Sequence, residues 1–426
     1  MKNAKPKSRM AALAICASLL GGTLAARAAN LPPDPNNAAL LYYQAVALWS
    51  DLRSSYIDSD ASPEPKDDSD TELTTGSPRL DKSESMMERL MRENLKADRE
   101  SSRQAMRQLT IQFIEAASRM PQCTWGKKEW GLPALGSLRD IAFLLENDAY
   151  KLTASGDYRA ALERCLTIRR FAGHLGDEGM LVHNVSQTVD GVAFRATRHV
   201  LGSMPPDAQT LIWLRSQLQT TPAARRSFLR ALESDVQFSL QRLQAHPETV
   251  ARIRNRFAEQ GIAAKDKEGM EKFKGLSDED IIPLIQEMAS AVIAEFFDSA
   301  RRVVESDKPY AQTSAEVELL TYKLREHDEI VPFYDLTTVM VTPEFHRLNV
   351  NHKTLINALN AAIDIYLVQA KTGHLPGVLP NGLPKDLFTG RDFGYDVTDE
   401  GFALRCQGED FQRGRMRQTL EFKVRK

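Results

Sequence analysis

Cysteine is scarce, with four residues in a chain of 426, and no two stand as Cys-x-x-Cys. That excludes the usual structural zinc and thioredoxin-like arrangements. The sequence-local signatures of catalysis are missing as well: Gly-x-Ser-x-Gly, Ser-x-x-Lys, His-Glu-x-x-His, Gly-x-Gly-x-x-Gly and the P-loop do not occur. Common serine hydrolases, penicillin-binding enzymes, zincins and nucleotide binders are thereby excluded, though not enzymes whose residues meet only in space. There is no excess of positive charge, since 55 Lys and Arg stand against 57 Asp and Glu. Such a balance gives a nucleic acid nothing to be drawn to. Long apolar runs are lacking too. Met10 to Leu24 is the one candidate, and it is too short to cross a bilayer comfortably.

That run has another use. Lys2, Lys5, Lys7 and Arg9 precede it, and Ala26-Arg27-Ala28 follows as an A-x-A site. Residues 1–28 therefore read as a secretory signal peptide, and the protein as exported to the periplasm or beyond the cell, with no transmembrane segment in the mature chain. The leader carries five basic residues and no acidic one, so its removal leaves 50 basic against 57 acidic, a balance of −7. Cys123, Cys165 and Cys406 remain. Cys165 falls on an apolar helical stripe and reads as a buried small hydrophobe. Cys123 and Cys406 are left as the one attractive disulfide.

What is plentiful is helical period. Between Ser137 and Met204 three stripes follow one another at three- and four-residue steps. Leu138, Ile141, Leu145, Ala149 and Leu152 form the first. Tyr158, Ala161, Cys165, Ile168, Ala172 and Leu175 form the second, and Val182, Val185, Val189, Val192, Ala196 and Val200 the third. Ser137 is the expected first cap, and Gly156-Asp157 and Gly176-Asp177 the stops and restarts between helices. Asn36 or Asn37 caps an earlier, broadly apolar helix to about Leu52. Met86 to Met120 resumes with Leu90, Leu95, Met106, Leu109, Phe113 and Ala117 inward. Further helices are expected over 207–218, 222–245 and 311–326, and from Ser277, whose pairing with Asp280 is a short capping box. Ile330 to Val350 reads as helix and loop. Asp58 to Ser85 is acidic and nearly free of large apolar residues, which predicts a disordered loop. Its aspartates lack the glycine and glutamate of a calcium-binding EF-hand loop.

Two resemblances add to this. Ala149-Tyr150, Gly156-Asp157-Tyr158 and Ala161-Leu162 are similar to the helix–turn–helix junction of a tetratricopeptide repeat, with no second copy. From Asn351 on, the order of segments resembles the soluble C-terminal portion of type II secretion pseudopilins. A helix with Leu355, Leu359, Ala362, Tyr366 and Ala370 leads to Gly373-His374-Leu375-Pro376. Leu383-Pro384-Lys385-Asp386-Leu387-Phe388-Thr389-Gly390, Phe393-x-Tyr395, Gly401-Phe402-x-Leu404 and Gly408-x-Asp410 follow in turn. Leu387 replaces the family's proline, the Gly-Phe-Thr-Leu-Ile-Glu signature is absent, and Phe411 to Arg417 replaces the calcium loop. The resemblance implies a helix-plus-sheet module, and the departures imply one without calcium. The residues themselves predict a three-stranded antiparallel sheet: Phe393, Tyr395 and Val397, then Phe402, Leu404 and Cys406, then Leu420, Phe422 and Val424 alternate with polar or small residues.

The expected fold is mostly α, an irregular multi-helix domain over 29–350 followed by a small α+β module over 351–426. No catalytic, cofactor or metal residue is assigned. His183 and Asp190 share a face of the third central helix and read as a hydrogen-bonded contact between helices, with a buried acid–base pair as the alternative. Glu344, His346 and His352 could meet as metal ligands only in a helical or folded-back segment. The leading expectation is an exported, non-catalytic interaction or scaffold protein of the cell envelope with an unidentified protein partner. The alternatives are a hydrolase with a non-local site near His183 and Asp190, and an accessory of a secretion or pilus-like system.

Overall fold

A computed structural model describes residues 37–60, 86–125, 133–176, 179–220, 228–245, 277–306, 308–325, 342–407 and 419–425. The expected signal peptide, most of the acidic loop, most of the stretch ahead of Val350 and the 408–418 segment containing Asp410 lie outside these residues. Among them the chain is mostly helical and ends in a small sheet. The helices are α1 (Ala38–Asp60), α2 (Met86–Ser118), α3 (Pro133–Ala154), α4 (Tyr158–Leu175) and α5 (Met180–Ser203). After them come α6 (Ala208–Thr220), α7 (Phe228–Ala245), α8 (Asp278–Val304), α9 (Tyr310–Arg325) and α10 (Thr342–Thr372). The strands are β1 (Gly394–Thr398), β2 (Gly401–Arg405) and β3 (Thr419–Lys423). The chain divides into two compact units within α3, residues 1–141 and 142–426. The second unit thus contains both the central helices and the C-terminal segment.

In the first unit α1 packs on α2. Asn37 is the cap: its Oδ1 accepts from Ala39 N at 3.2 Å and Thr124 N at 2.8 Å, while Nδ2 donates to Thr124 O at 2.8 Å. Tyr42 stacks on Trp125 beside it, with centroids 5.5 Å apart. The inward stripe of α2 is Ile111, Ile114 and Ala117, so the expected Met106, Leu109 and Phe113 stand at its edge, half-buried. Asp58 to Asp60, expected in the loop, close α1.

In the second unit the second stripe is buried as expected, apart from half-buried Tyr158. Gly156 and Gly176 adopt φ of 83° and 74°, values that β-carbon-bearing residues avoid, so each stops a helix. Asp157 Oδ1 then accepts from Ala160 N and caps α4. Ser137 is inside a helix rather than at its cap, because α3 begins at Pro133, where the missing N–H costs nothing. At the start of α5 the cap comes from elsewhere: Asp235 Oδ2 of α7 accepts from Met180 N at 2.9 Å.

The sheet has the order β1-β2-β3, antiparallel throughout, with Val397 opposite Phe402 and Phe402 opposite Phe422. Phe402 is fully buried, stacked on Phe422 at 5.2 Å and edge-on to Tyr366 of α10 at 5.3 Å. The Tyr366 hydroxyl donates to Lys423 O. One apolar core joins α4, α5, α6, α10 and the sheet, so residues 351–425 share their interior with the central helices. Val397 shares the face of its partner Phe402 but lies on the edge strand β1 and is exposed, and Val424 lies past the end of β3. Cys406 keeps its thiol, which donates to Asp386 Oδ1 at 2.9 Å; the Cys123–Cys406 disulfide is not formed.

Candidate functional site

The residues with the most chemistry meet where α4, α5 and α10 pack together. The first half of α5 buries His183, Ser186 and Asp190, at steps of three and four, while Val182 and Val185 are only half-buried. The inward face there is polar, against the expected valine stripe, because each of these groups finds a partner. Ser186 Oγ donates to Ala172 O of α4 at 2.7 Å. Asp190 has no exposed surface; Arg169 of α4 places Nη1 3.5 Å from both its oxygens, and His352 of α10 places Nε2 2.8 Å from Oδ2. Gln187 Nε2 lies 2.9 Å from His183 Nε2 and 3.5 Å from Asn349 Oδ1 of α10.

His183 and Asp190 therefore serve two adjoining contacts across three helices. A buried carboxylate without counter-charge would cost several kcal/mol. Arg169 supplies that charge, and His352, whose side chain is 16% exposed, carries the cluster toward the surface. Arg169 Nε itself has no hydrogen-bond partner among the described residues.

Glu344, His346 and His352 do not converge. All three lie on α10, but Glu344 pairs with Arg347 at 2.5 Å, His352 with Asp190, and His346 with Thr313 of α9 at 2.9 Å. Among the described residues no group of three His, Cys, Asp or Glu is placed to hold a metal ion. His346 is packed between the rings of Phe228 and Tyr310, at 6.0 and 5.4 Å, and its Nδ1 has no hydrogen-bond partner among the described residues. Burial, reinforced by Lys353, pushes its pKa down to about 4, so it stays neutral. Cys165 is inert for the same reason, its thiol pushed up to about 12 by burial.

A surface hollow lies elsewhere. It is shallow, about 450 Å³, and lined by Ala315, Glu318, Leu319, Thr321, Tyr322 and Pro343. Leu319 and Tyr322 stand 54% and 59% exposed on its rim. A second hollow of about 10 Å³ lies between Pro205, Pro206 and Tyr366. Neither touches Asp190, His352 or His183.

Compared with protein-family models, with curated proteins and with solved structures, the chain matches none.

Sequence reasoning found His183 and Asp190 but missed Arg169 and separated His352 from them. One signal was present. Arg169 falls four residues after Cys165 and three before Ala172, an arginine set among the apolar positions of α4. Such a residue needs a counter-charge on the neighbouring helix.

Proposed function

We propose that this is a non-catalytic interaction protein that works through its helical surface. The observation that carries the reading is the Asp190 cluster: its carboxylate is fully buried and engaged by Arg169 and His352, and neither of the two hollows described above reaches it. A substrate-binding site needs a concave space into which such groups point. Here they are spent on holding α4, α5 and α10 together. The surface hollow, by contrast, is apolar-rimmed and carries one carboxylate and no histidine. The charged leader and A-x-A site support placing the protein in the envelope or outside the cell. No described helix is long and apolar enough to cross a membrane.

A narrower reading, accessory of a secretion or pilus-like system, is supported by the order of the long α10 and a three-stranded sheet at the C-terminus. It predicts co-purification with assembly components that is lost on removing β3.

A photo-crosslinking residue placed at Leu319 or Tyr322 in the producing cells tests the main reading. A discrete protein adduct is expected, unchanged by His352→Gln. Absence of adducts from these positions and from Val378 and Val397 would contradict it. So would a chemical activity that His352→Gln abolishes at an unchanged melting temperature.

A further inference from the structure

We infer that the outer face of α9 is a self-association surface, on which a second copy of this chain packs α9 parallel to α9. This rests on the interaction reading and names the occupant of one face. The helix has two faces. Tyr310, Thr313, Val317, Thr321 and Leu324 are buried against its own unit, while Ala315, Leu319 and Tyr322 point outward at steps of four and three. Among the large hydrophobics exposed in the described residues, Leu319 and Tyr322 are the two that share a helix face. They border a hollow into which a partner side chain can enter.

The flanking charges select the occupant. With Ala315, Leu319 and Tyr322 as the d, a and d positions of a heptad, Glu318 takes the g position and Lys323 the e position of the next turn. A g residue of one helix meets the e residue five places on in a parallel partner. Two parallel copies of α9 therefore bring Glu318 of each against Lys323 of the other, twice, flanking the Leu319 and Tyr322 seam. Both side chains are exposed. The symmetry is closed, which limits assembly to a dimer.

The contact is small. Sixteen residues make a helix about 24 Å long, which falls short of the roughly 800 Å² per partner of a stable interface. The dimer is accordingly weak, in the micromolar range or above.

Sedimentation velocity of the purified protein up to about 0.5 mM tests this. A concentration-dependent monomer–dimer equilibrium is expected, abolished by Leu319→Glu at an unchanged melting temperature. Glu318→Lys and Lys323→Glu should each weaken the dimer by about tenfold, since each sets like charges face to face. The double swap should restore it to within about twofold, because opposite charges face each other again. A protein monomeric throughout, or a dimer indifferent to Leu319→Glu and to the swaps, overturns the inference. If the monomer still gives a hetero-protein adduct from Tyr322, self-association is overturned and the interaction reading stands. If neither dimer nor adduct forms, both fall.

Discussion

At the scale of residues, the buried His346 of α10 answers acid differently from a surface histidine. Its ring is buried against Phe228 and Tyr310, and a proton on its Nδ1 would have no acceptor among the described residues. The folded pKa of about 4 lies below the ordinary value of 6.5. Between those two values the unfolded chain binds a proton that the folded chain refuses, so stability rises with pH across this window. The stability present above pH 6.5 is lost progressively as the pH falls toward 4, by about 2–3 kcal/mol from this group. Melting curves from pH 4 to 7 should show a shallower acid-side decline in His346→Gln than in the parent. Identical slopes would place the acid sensitivity elsewhere. Asp386 is a second decisive residue, accepting from Phe388 N, Thr389 Oγ1, Cys406 Sγ and Gln407 N at 2.9–3.0 Å. Asp386→Ala leaves these donors unpaired, and urea unfolding should show a loss of about 2–4 kcal/mol.

At the scale of elements, the sheet and its supporting helix are the part most sensitive to shape. β2 is sandwiched between its neighbours with Phe402 against Tyr366 and Phe422, and Phe402→Ala should cost about 3–5 kcal/mol in chemical unfolding. Gly401 starts that strand so close to β3 that an added β-carbon would sit 2.1 Å from Phe422 O. Gly401→Ala should therefore lower the melting temperature, whereas alanine at Gly136, with open space around it, should not. These elements were legible in the sequence because local period decides them. Phe402 and Leu404 alternate with Ala403 and Arg405, and Ala161, Cys165, Ile168 and Ala172 keep helical step. The first half of α5 was not legible in the same way. Val182 and Val185 look like an inward stripe, and only partners 14, 21 and 162 residues away make Ser186 and Asp190 the buried face instead. Long-range pairing of that kind leaves no mark in a local pattern. The start of α10 at Thr342 was obscured for a related reason: Glu344, His346 and Arg347 look like loop chemistry until the elements that surround them are known.

At the scale of the whole molecule, residues 142–426 form one unit in which the sheet closes the core of the central helices. Several ties show how it is closed. Arg425 reaches Tyr158 OH at 2.7 Å, Arg215 of α6 pairs with Asp364 of α10 at 2.7 Å, and Gly202 of α5 allows Lys423 to approach where a β-carbon would meet it at 3.0 Å. The Asp190 cluster belongs to this same framework, and that is the claim on which the non-catalytic reading depends. Catalytic side chains are commonly held at a cost, so their removal often leaves stability unchanged or raises it. A structural ion pair behaves in the opposite sense, because removing one partner strands the other. Urea unfolding of the parent, Asp190→Asn, His352→Gln and the double variant separates the two without knowledge of any substrate. Losses of about 2–4 kcal/mol for Asp190→Asn and about 1–2 kcal/mol for His352→Gln, with a double variant less destabilised than their sum, are the expected result. Single variants as stable as the parent or more stable would contradict a structural role for Asp190, and with it the reading of this protein as one that works through its surface.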